Sequence, residues 1–176
     1  MKRKLLLPIF LLLAYSNVPA QTYVKPATQP AHINTGARFR SLDSTTPIRM
    51  ADYRGKVVVM ALWASWCGAC RMAVSGLGDM QKEFADRGVS VIALSNEDPR
   101  KAYRDVRIFS DSLPPEYKVG WISSVSAEQL MTRKDVLPQI FVMRDGVILK
   151  TFVGWHPTMT ASQLLLVLNE AQETKR

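Results

Sequence analysis

The sequence predicts an α/β domain, with a mixed central sheet flanked by helices on both faces and an N-terminal β-hairpin. Three observations carry this expectation. Residues Val57-Val58-Val59-Met60-Ala61-Leu62-Trp63 form a near-continuous apolar, β-branched run, as a strand buried on both faces requires. Segments of strand and helix character then follow in the order β-α-β-α and β-β-α, which calls for parallel and antiparallel strands in one sheet. The only two cysteines, Cys67 and Cys70, fall where the apolar run gives way to helical spacing.

The chain opens with a basic stretch, Met1-Lys2-Arg3-Lys4, followed by an apolar stretch from Leu5 to Tyr15 and by Val18-Pro19-Ala20 before Gln21. These are the parts of a secretory signal peptide over residues 1–20, cleaved after Ala20. The apolar stretch is shorter than the ~20 residues a spanning helix needs, and Pro8 interrupts it. An uncleaved anchor is the alternative. No cysteine lies near the cleavage site to take a lipid. Residues 21–36, with Pro26 and Pro30 among Thr, Gln and Ala, read as an extended linker, and residues 37–176 as one domain.

Within the domain, Ala37-Arg38-Phe39-Arg40-Ser41-Leu42 and Pro47-Ile48-Arg49-Met50 alternate polar and apolar residues across Asp43-Ser44-Thr45-Thr46, a hairpin pattern. Tyr53-Arg54-Gly55-Lys56 turns the chain into the apolar strand. A long helix is expected from Gly68 to about Arg87, with Met72, Leu77, Met80 and Phe84 near helical spacing and Gly88 as its stop. Gly76 and Gly78 weaken it and allow a bend. A strand over Val89 to Leu94 leads to Asp98-Pro99, a helix cap with proline in first position, and Leu113-Pro114-Pro115 closes that helix. Tyr117 to Ile122 reads as a strand, and Ser126 with Gln129 as a capping box for a short helix through Leu130 and Met131. Gln139 to Met143 and Val147 to Val153 pair through the turn Arg144-Asp145-Gly146. Thr160 with Gln163 is expected to cap a last helix carrying Leu164, Leu165, Leu168 and Ala171 on one face.

The 176 residues, 47% hydrophobic and 22% charged, suit one ordinary globular domain. Without the three basic residues of the leader, 20 basic residues stand against 15 acidic ones, an excess of +5. That excess favours solubility and weak attraction to anionic surfaces. The chain has no basic helix, zinc finger or aromatic-interleaved basic patch that would mark nucleic-acid binding.

Cys67-Gly68-Ala69-Cys70 at a strand-to-helix junction has the spacing of a redox pair. A cysteine in the first turn of a helix meets unpaired N–H groups and the positive end of the dipole, which favour the reactive thiolate. Cys67, the more exposed in such a motif, is assigned as the nucleophile and Cys70 as the resolving thiol. A purely structural disulfide is disfavoured because so short a loop restricts the unfolded chain little. Zinc would need further ligands, and His32 and His156 stand at unhelpful spacing. A c-type haem needs histidine directly after the second cysteine, where this chain has Arg71. No metal and no cofactor are therefore expected. A peroxidatic Pro-x-x-x-Thr-x-x-Cys pattern is absent.

The stretch Val57-Val58-Val59-Met60-Ala61-Leu62-Trp63-Ala64-Ser65-Trp66-Cys67-Gly68-Ala69-Cys70-Arg71 resembles the active-site strand and helix start of thioredoxins. The closer likeness is to exported thioredoxin-like proteins of the TlpA/ResA type, whose hairpin and Gly-Lys entry resemble Phe39 to Lys56. The likeness runs from about Ala37 to Ala171 and implies a thioredoxin-like fold. It implies a cis peptide at Leu137–Pro138, facing the cysteines, and a glycine near the site at Gly154. A cis X–Pro bond costs only about 0.5–1 kcal/mol over trans. The surface expected to meet substrate is Trp66, Gly68, Ala69, Leu137, Pro138 and Gly154, with the Leu137 backbone open to pairing with an added strand. Trp63 and Trp66 are read as packing and surface-shaping residues. Three positions depart from the family. Ala61 stands where thioredoxins carry a buried Asp. Ala73 replaces the helix Glu of TlpA/ResA-like proteins, and Ser75 their kinking proline, with Gly76 left to supply the bend.

These features point to a periplasmic thiol–disulfide oxidoreductase that exchanges a Cys67–Cys70 disulfide with proteins, as a reductase. The alternatives are an envelope oxidase or isomerase, or a binding module without catalysis. The expected partners are disulfide- or dithiol-containing envelope proteins such as apocytochrome c, and a membrane electron donor or acceptor. No nucleic acid is expected, and the chain is expected to act as a monomer, in the periplasm or anchored facing it.

Overall fold

The computed structural model describes residues 32–43, 45–113 and 117–173. The signal peptide, residues 21–31 of the linker and the prolines at 114 and 115 lie outside the described residues. Among the described residues seven strands form one mixed sheet, flanked by four helices. The strands are β1 (Arg38–Ser41), β2 (Ile48–Arg49), β3 (Val57–Trp63), β4 (Val89–Ser95), β5 (Lys118–Trp121), β6 (Gln139–Arg144) and β7 (Val147–Val153). The helices are α1 (Gly68–Phe84), α2 (Pro99–Ser110), α3 (Ser124–Leu130) and α4 (Met159–Glu173). The strand order is β2-β1-β5-β4-β3-β6-β7. β3 runs parallel to β4 and antiparallel to β6, and β4 runs parallel to β5.

Every residue of β3 is buried, as its unbroken apolar run required. Alternate side chains feed two cores. Val59, Ala61 and Trp63 join Leu77 and Phe84 of α1, Val106 of α2, and Leu164 and Leu168 of α4. Met60 and Leu62 join Ile92, Leu94, Phe141, Ala127 of α3, and Ile33. The sheet is therefore covered on both faces, and each face takes every second residue. The N-terminal hairpin docks on β5, pairing Arg40 with Trp121 and Ser41 with Gly120. A Cβ at Gly120 would lie 2.4 Å from the Arg40 carbonyl oxygen, so glycine lets the two backbones close.

Several boundaries move. Residues 32–36, assigned to the linker, are docked. His32 bridges Val147, the Ile33 N–H donates to the Gly146 carbonyl at 2.7 Å, and the Ile33 side chain is buried. Burying that one apolar side chain and pairing its backbone draws the segment into the domain. The α3 cap is Ser123, not Ser126. The Ser123 hydroxyl accepts the Ser126 N–H at 3.1 Å, so the helix begins one turn earlier and stops at Leu130. At α4 the His156 Nδ1 accepts the Thr158 and Met159 N–H groups at 3.3 and 3.2 Å. Thr160 lies inside the first turn, and its hydroxyl accepts the His156 N–H at 2.9 Å. An imidazole reaching two to three residues ahead was not legible as a cap.

Candidate active site

Three strand ends and one helix start build the site. β3 ends at Trp63, four residues run free, and α1 begins at Gly68 with Cys67 as its N-cap in extended conformation. The Cys67 sulfur accepts the Cys70 N–H at 3.2 Å, satisfying one of the donors that a helix start leaves open. Cys67 and Cys70 are disulfide-bonded, with Cα atoms 5.2 Å apart. They differ in access, Cys67 at 9% exposure and Cys70 at 0%.

The Leu137–Pro138 peptide is cis. The Leu137 carbonyl oxygen lies 3.9 Å from the Cys67 sulfur. The Gly154 N–H donates to the Pro138 carbonyl at 2.8 Å, with Gly154 at a φ of 79° that favours glycine. So Cys67, Leu137, Pro138 and Gly154, distant in sequence, come together. Trp66, at 73% exposure, stands beside the pair. Gly68 is exposed with no heavy atom within 4 Å of where a Cβ would sit, and Ala69 is half-buried. A cleft of about 340 Å³ beside Cys67 is lined by Trp66, Met131, Val136 and Leu137, among others. Lys134 and Asp135 also line it, but Lys134 is paired with Glu128 and Asp135 with Arg133. The hydrogen bond from Arg133 holds the Asp135 carboxyl below its usual range.

Among the described residues no carboxylate is buried, and Cys70 lies in an apolar cluster. Ala61 and Ala73 are both fully buried in the same apolar cluster. No group of three or more potential metal ligands occurs among the described residues.

Three contributors went unseen in the sequence. Gln139, buried directly after Pro138, accepts the Thr132 N–H at 2.9 Å and donates to the Arg133 and Val136 carbonyls. It thereby folds the loop that walls the cleft. Glu97 holds Ser65, two residues before Cys67. Trp155 packs on α1 at Gly76, where a Cβ would lie 2.9 Å from its Cζ2. Gly76 therefore serves a close approach, and α1 is assigned as one helix through it. The available signal for Glu97 was its place just past a parallel strand, on the side where sites gather in α/β sheets.

A cysteine pair at a helix start, opposite a cis-proline on a mixed sheet, is the arrangement of the thioredoxin-like fold. Residues 35–119 match the AhpC/TSA family. The thioredoxin-like protein YneN of Bacillus subtilis is 35% identical over 118 residues, 65% of this chain and 65% of that protein. The thiol-disulfide oxidoreductase ResA of the same organism is 27% identical over 120 residues, 66% of this chain and 62% of that one. The chain thus spans somewhat less than two thirds of either relative. Among solved structures, a thioredoxin-family thiol:disulfide interchange protein of Chlorobium tepidum superposes with a TM-score of 0.61 at 19% identity. It covers 82% of this chain and 96% of its own, a likeness of fold.

Proposed function

We propose that this protein is a periplasmic thiol–disulfide oxidoreductase, acting as a reductase of protein disulfides in the cell envelope. The observation that carries the reading is the Cys67–Cys70 pair at bonding distance, its outer sulfur 3.9 Å from the Leu137 carbonyl beside cis-Pro138. In the reduced protein the Cys67 thiolate attacks one sulfur of a substrate disulfide, and the other sulfur leaves as a thiolate. Cys70 then loses its proton and attacks the Cys67 sulfur of the mixed disulfide, releasing the second substrate thiolate. Two electrons pass to the substrate, and the Cys67–Cys70 disulfide remains for a dithiol donor at the membrane to reduce. Burial of Cys70 lets Cys67 alone meet the partner disulfide. Trp66, Gly68, Ala69, Leu137, Pro138 and Gly154 form the contact surface, where an extended substrate segment lies along the Leu137 backbone. Reduction of apocytochrome c cysteines fits this chemistry. The similarity to ResA supports the oxidoreductase reading.

The test has two parts. A Cys70→Ala variant should accumulate mixed disulfides through Cys67; trapping through Cys70 in Cys67→Ala instead would reverse the roles, and trapping in neither would end the enzymatic reading. The reduction potential decides direction. A value near about −270 mV places the protein with thioredoxin-type reductants, and one near about −120 mV with strong oxidants.

A further inference from the structure

We infer that Glu97 is a positioning residue for Cys67, acting through Ser65 and resting on the thiol–disulfide reading above. Glu97 follows β4 at the end of the sheet where α1 begins. One of its carboxylate oxygens accepts the Ser65 backbone N–H at 2.6 Å and the Ser95 hydroxyl at 3.0 Å. The other accepts the Ser65 hydroxyl at 2.9 Å. Its own N–H donates to the Ser95 hydroxyl oxygen at 3.2 Å. One side chain so ties the cysteine loop to the neighbouring strand through three donors, and charge-assisted bonds of this kind are the strong ones.

The loop needs such a tie. Between Trp63 and Gly68 the chain has neither strand nor helix pairing. Its backbone bonds there include the Cys67 N–H to the Ala64 carbonyl at 3.1 Å, the Asn96 N–H to the Trp63 carbonyl at 3.3 Å and, into the first turn of α1, the Arg71 N–H to the Cys67 carbonyl at 3.2 Å. Ser65 lies two residues from Cys67, within about 7 Å along the chain. The Cys67 sulfur must bond in turn to Cys70 and to a substrate sulfur in line, and a displacement of about 1 Å can cost about 100-fold in rate.

Glu97 also brings a carboxylate onto Ser65, two residues from Cys67, and a negative charge there opposes the helix start that favours the thiolate. The other titratable or charged groups lining the clefts of Glu97, Ser65 and Cys67 are His32 before β1, Arg38 and Arg40 of β1, Asp98 before α2, Arg71 of α1, Asp105 of α2, and Lys134 and Asp135 of the loop. Arg71 of α1 lies next to Cys70 in sequence. Asp98 is engaged by Arg100, and Lys134 and Asp135 by their own partners.

The experiment is the rate of reaction of the reduced full domain with a small aromatic disulfide, followed against pH, for wild type, E97Q, E97A and S65A. E97Q keeps an acceptor oxygen for Ser65 and removes the charge. It should stay within about threefold of wild type at its plateau, while E97A falls by about tenfold or more and S65A lies between. The midpoint of the thiolate curve should move to lower pH in E97Q, which a merely structural role would not produce. An E97A variant that folds and matches wild type in both plateau and midpoint overturns the inference. If E97A does not fold, an unmoved E97Q midpoint together with a wild-type S65A rate overturns it. An inert wild type would instead sink the thiol–disulfide reading itself.

Discussion

At the scale of single residues, the two cysteines differ in access. Cys67, at 9% exposure, caps α1 and lines the cleft, whereas Cys70 is fully buried in the apolar cluster that holds Ala61, Ala73, Val74 and Leu77. In the proposed reaction Cys70 must lose a proton, and Ala61 and Ala73 of its cluster stand where the family resemblance implies carboxylates. Ala73→Glu should therefore quicken disulfide exchange near neutral pH while lowering stability by about 1–3 kcal/mol, because a buried carboxyl is introduced. Stopped-flow exchange and urea unfolding read the two effects, and an unchanged rate would show that proton transfer at Cys70 does not limit exchange. A second buried polar group stands in the same core. The Tyr117 hydroxyl has no hydrogen-bond partner among the described residues, and burial pushes its phenol well above the usual range. The folded state holds it neutral, so its contribution to stability is complete below the ordinary tyrosine value of about 10 and is lost as pH rises above it. Tyr117→Phe should leave stability at pH 7 equal or raise it by about 1 kcal/mol, and should flatten its decline above about pH 10. Urea midpoints at pH 7 and at alkaline pH measure both.

At the scale of elements, three glycines separate causes that look alike in sequence. Gly76 lies in α1, where Ala would ordinarily be better by about 1 kcal/mol. Here its Cβ would press on the Trp155 ring. Gly76→Ala should destabilise the wild type and stabilise a Trp155→Ala background, and a double-mutant cycle by chemical denaturation isolates the coupling. Gly88 and Gly146 both have positive φ, 74° and 82°. Gly88 closes the short 3-10 turn after α1 with open space around it, whereas a Cβ at Gly146 would stand 2.3 Å from the Ile33 carbonyl oxygen. Gly88→Ala should cost about 1 kcal/mol of conformational strain and Gly146→Ala clearly more, as measured by thermal melts. Gln81 shows how an element can finish another's pairing. Its amide donates to the Val89 carbonyl at 3.2 Å and accepts the Val91 N–H at 2.5 Å, and the β4–β5 pairing begins only at Ile92.

At the scale of the whole molecule, both cores share β3, β4 and β6, so they should melt together. Phe84 lies in the core under α1 and Phe141 in the other, each almost fully buried. Phe84→Ala and Phe141→Ala should each cost about 3–5 kcal/mol. Each should also preserve one transition, with tryptophan fluorescence and circular dichroism coincident. Non-coincident transitions would mean that the two faces fold as separate units. No helix of the described residues is long and apolar enough to cross a membrane.

The sequence by itself determined the sheet, most of its elements and the place of the cysteine pair, because these follow from local periodicity and from spacing along the chain. Val57 to Trp63 could only be a strand buried on both faces, and Cys-x-x-Cys at its end could only be placed at a helix start. The turn Asp145-Gly146, with φ of 50° and 82°, was legible for the same local reason. The tertiary structure alone decided what surrounds the pair. Glu97 reaches Ser65 across 32 positions, Gly76 makes room for Trp155, and Gln139 folds back on a loop whose path no periodicity encodes. These contacts join side chains to groups that approach only when the strand order brings their ends together, so no local pattern in the chain could announce them.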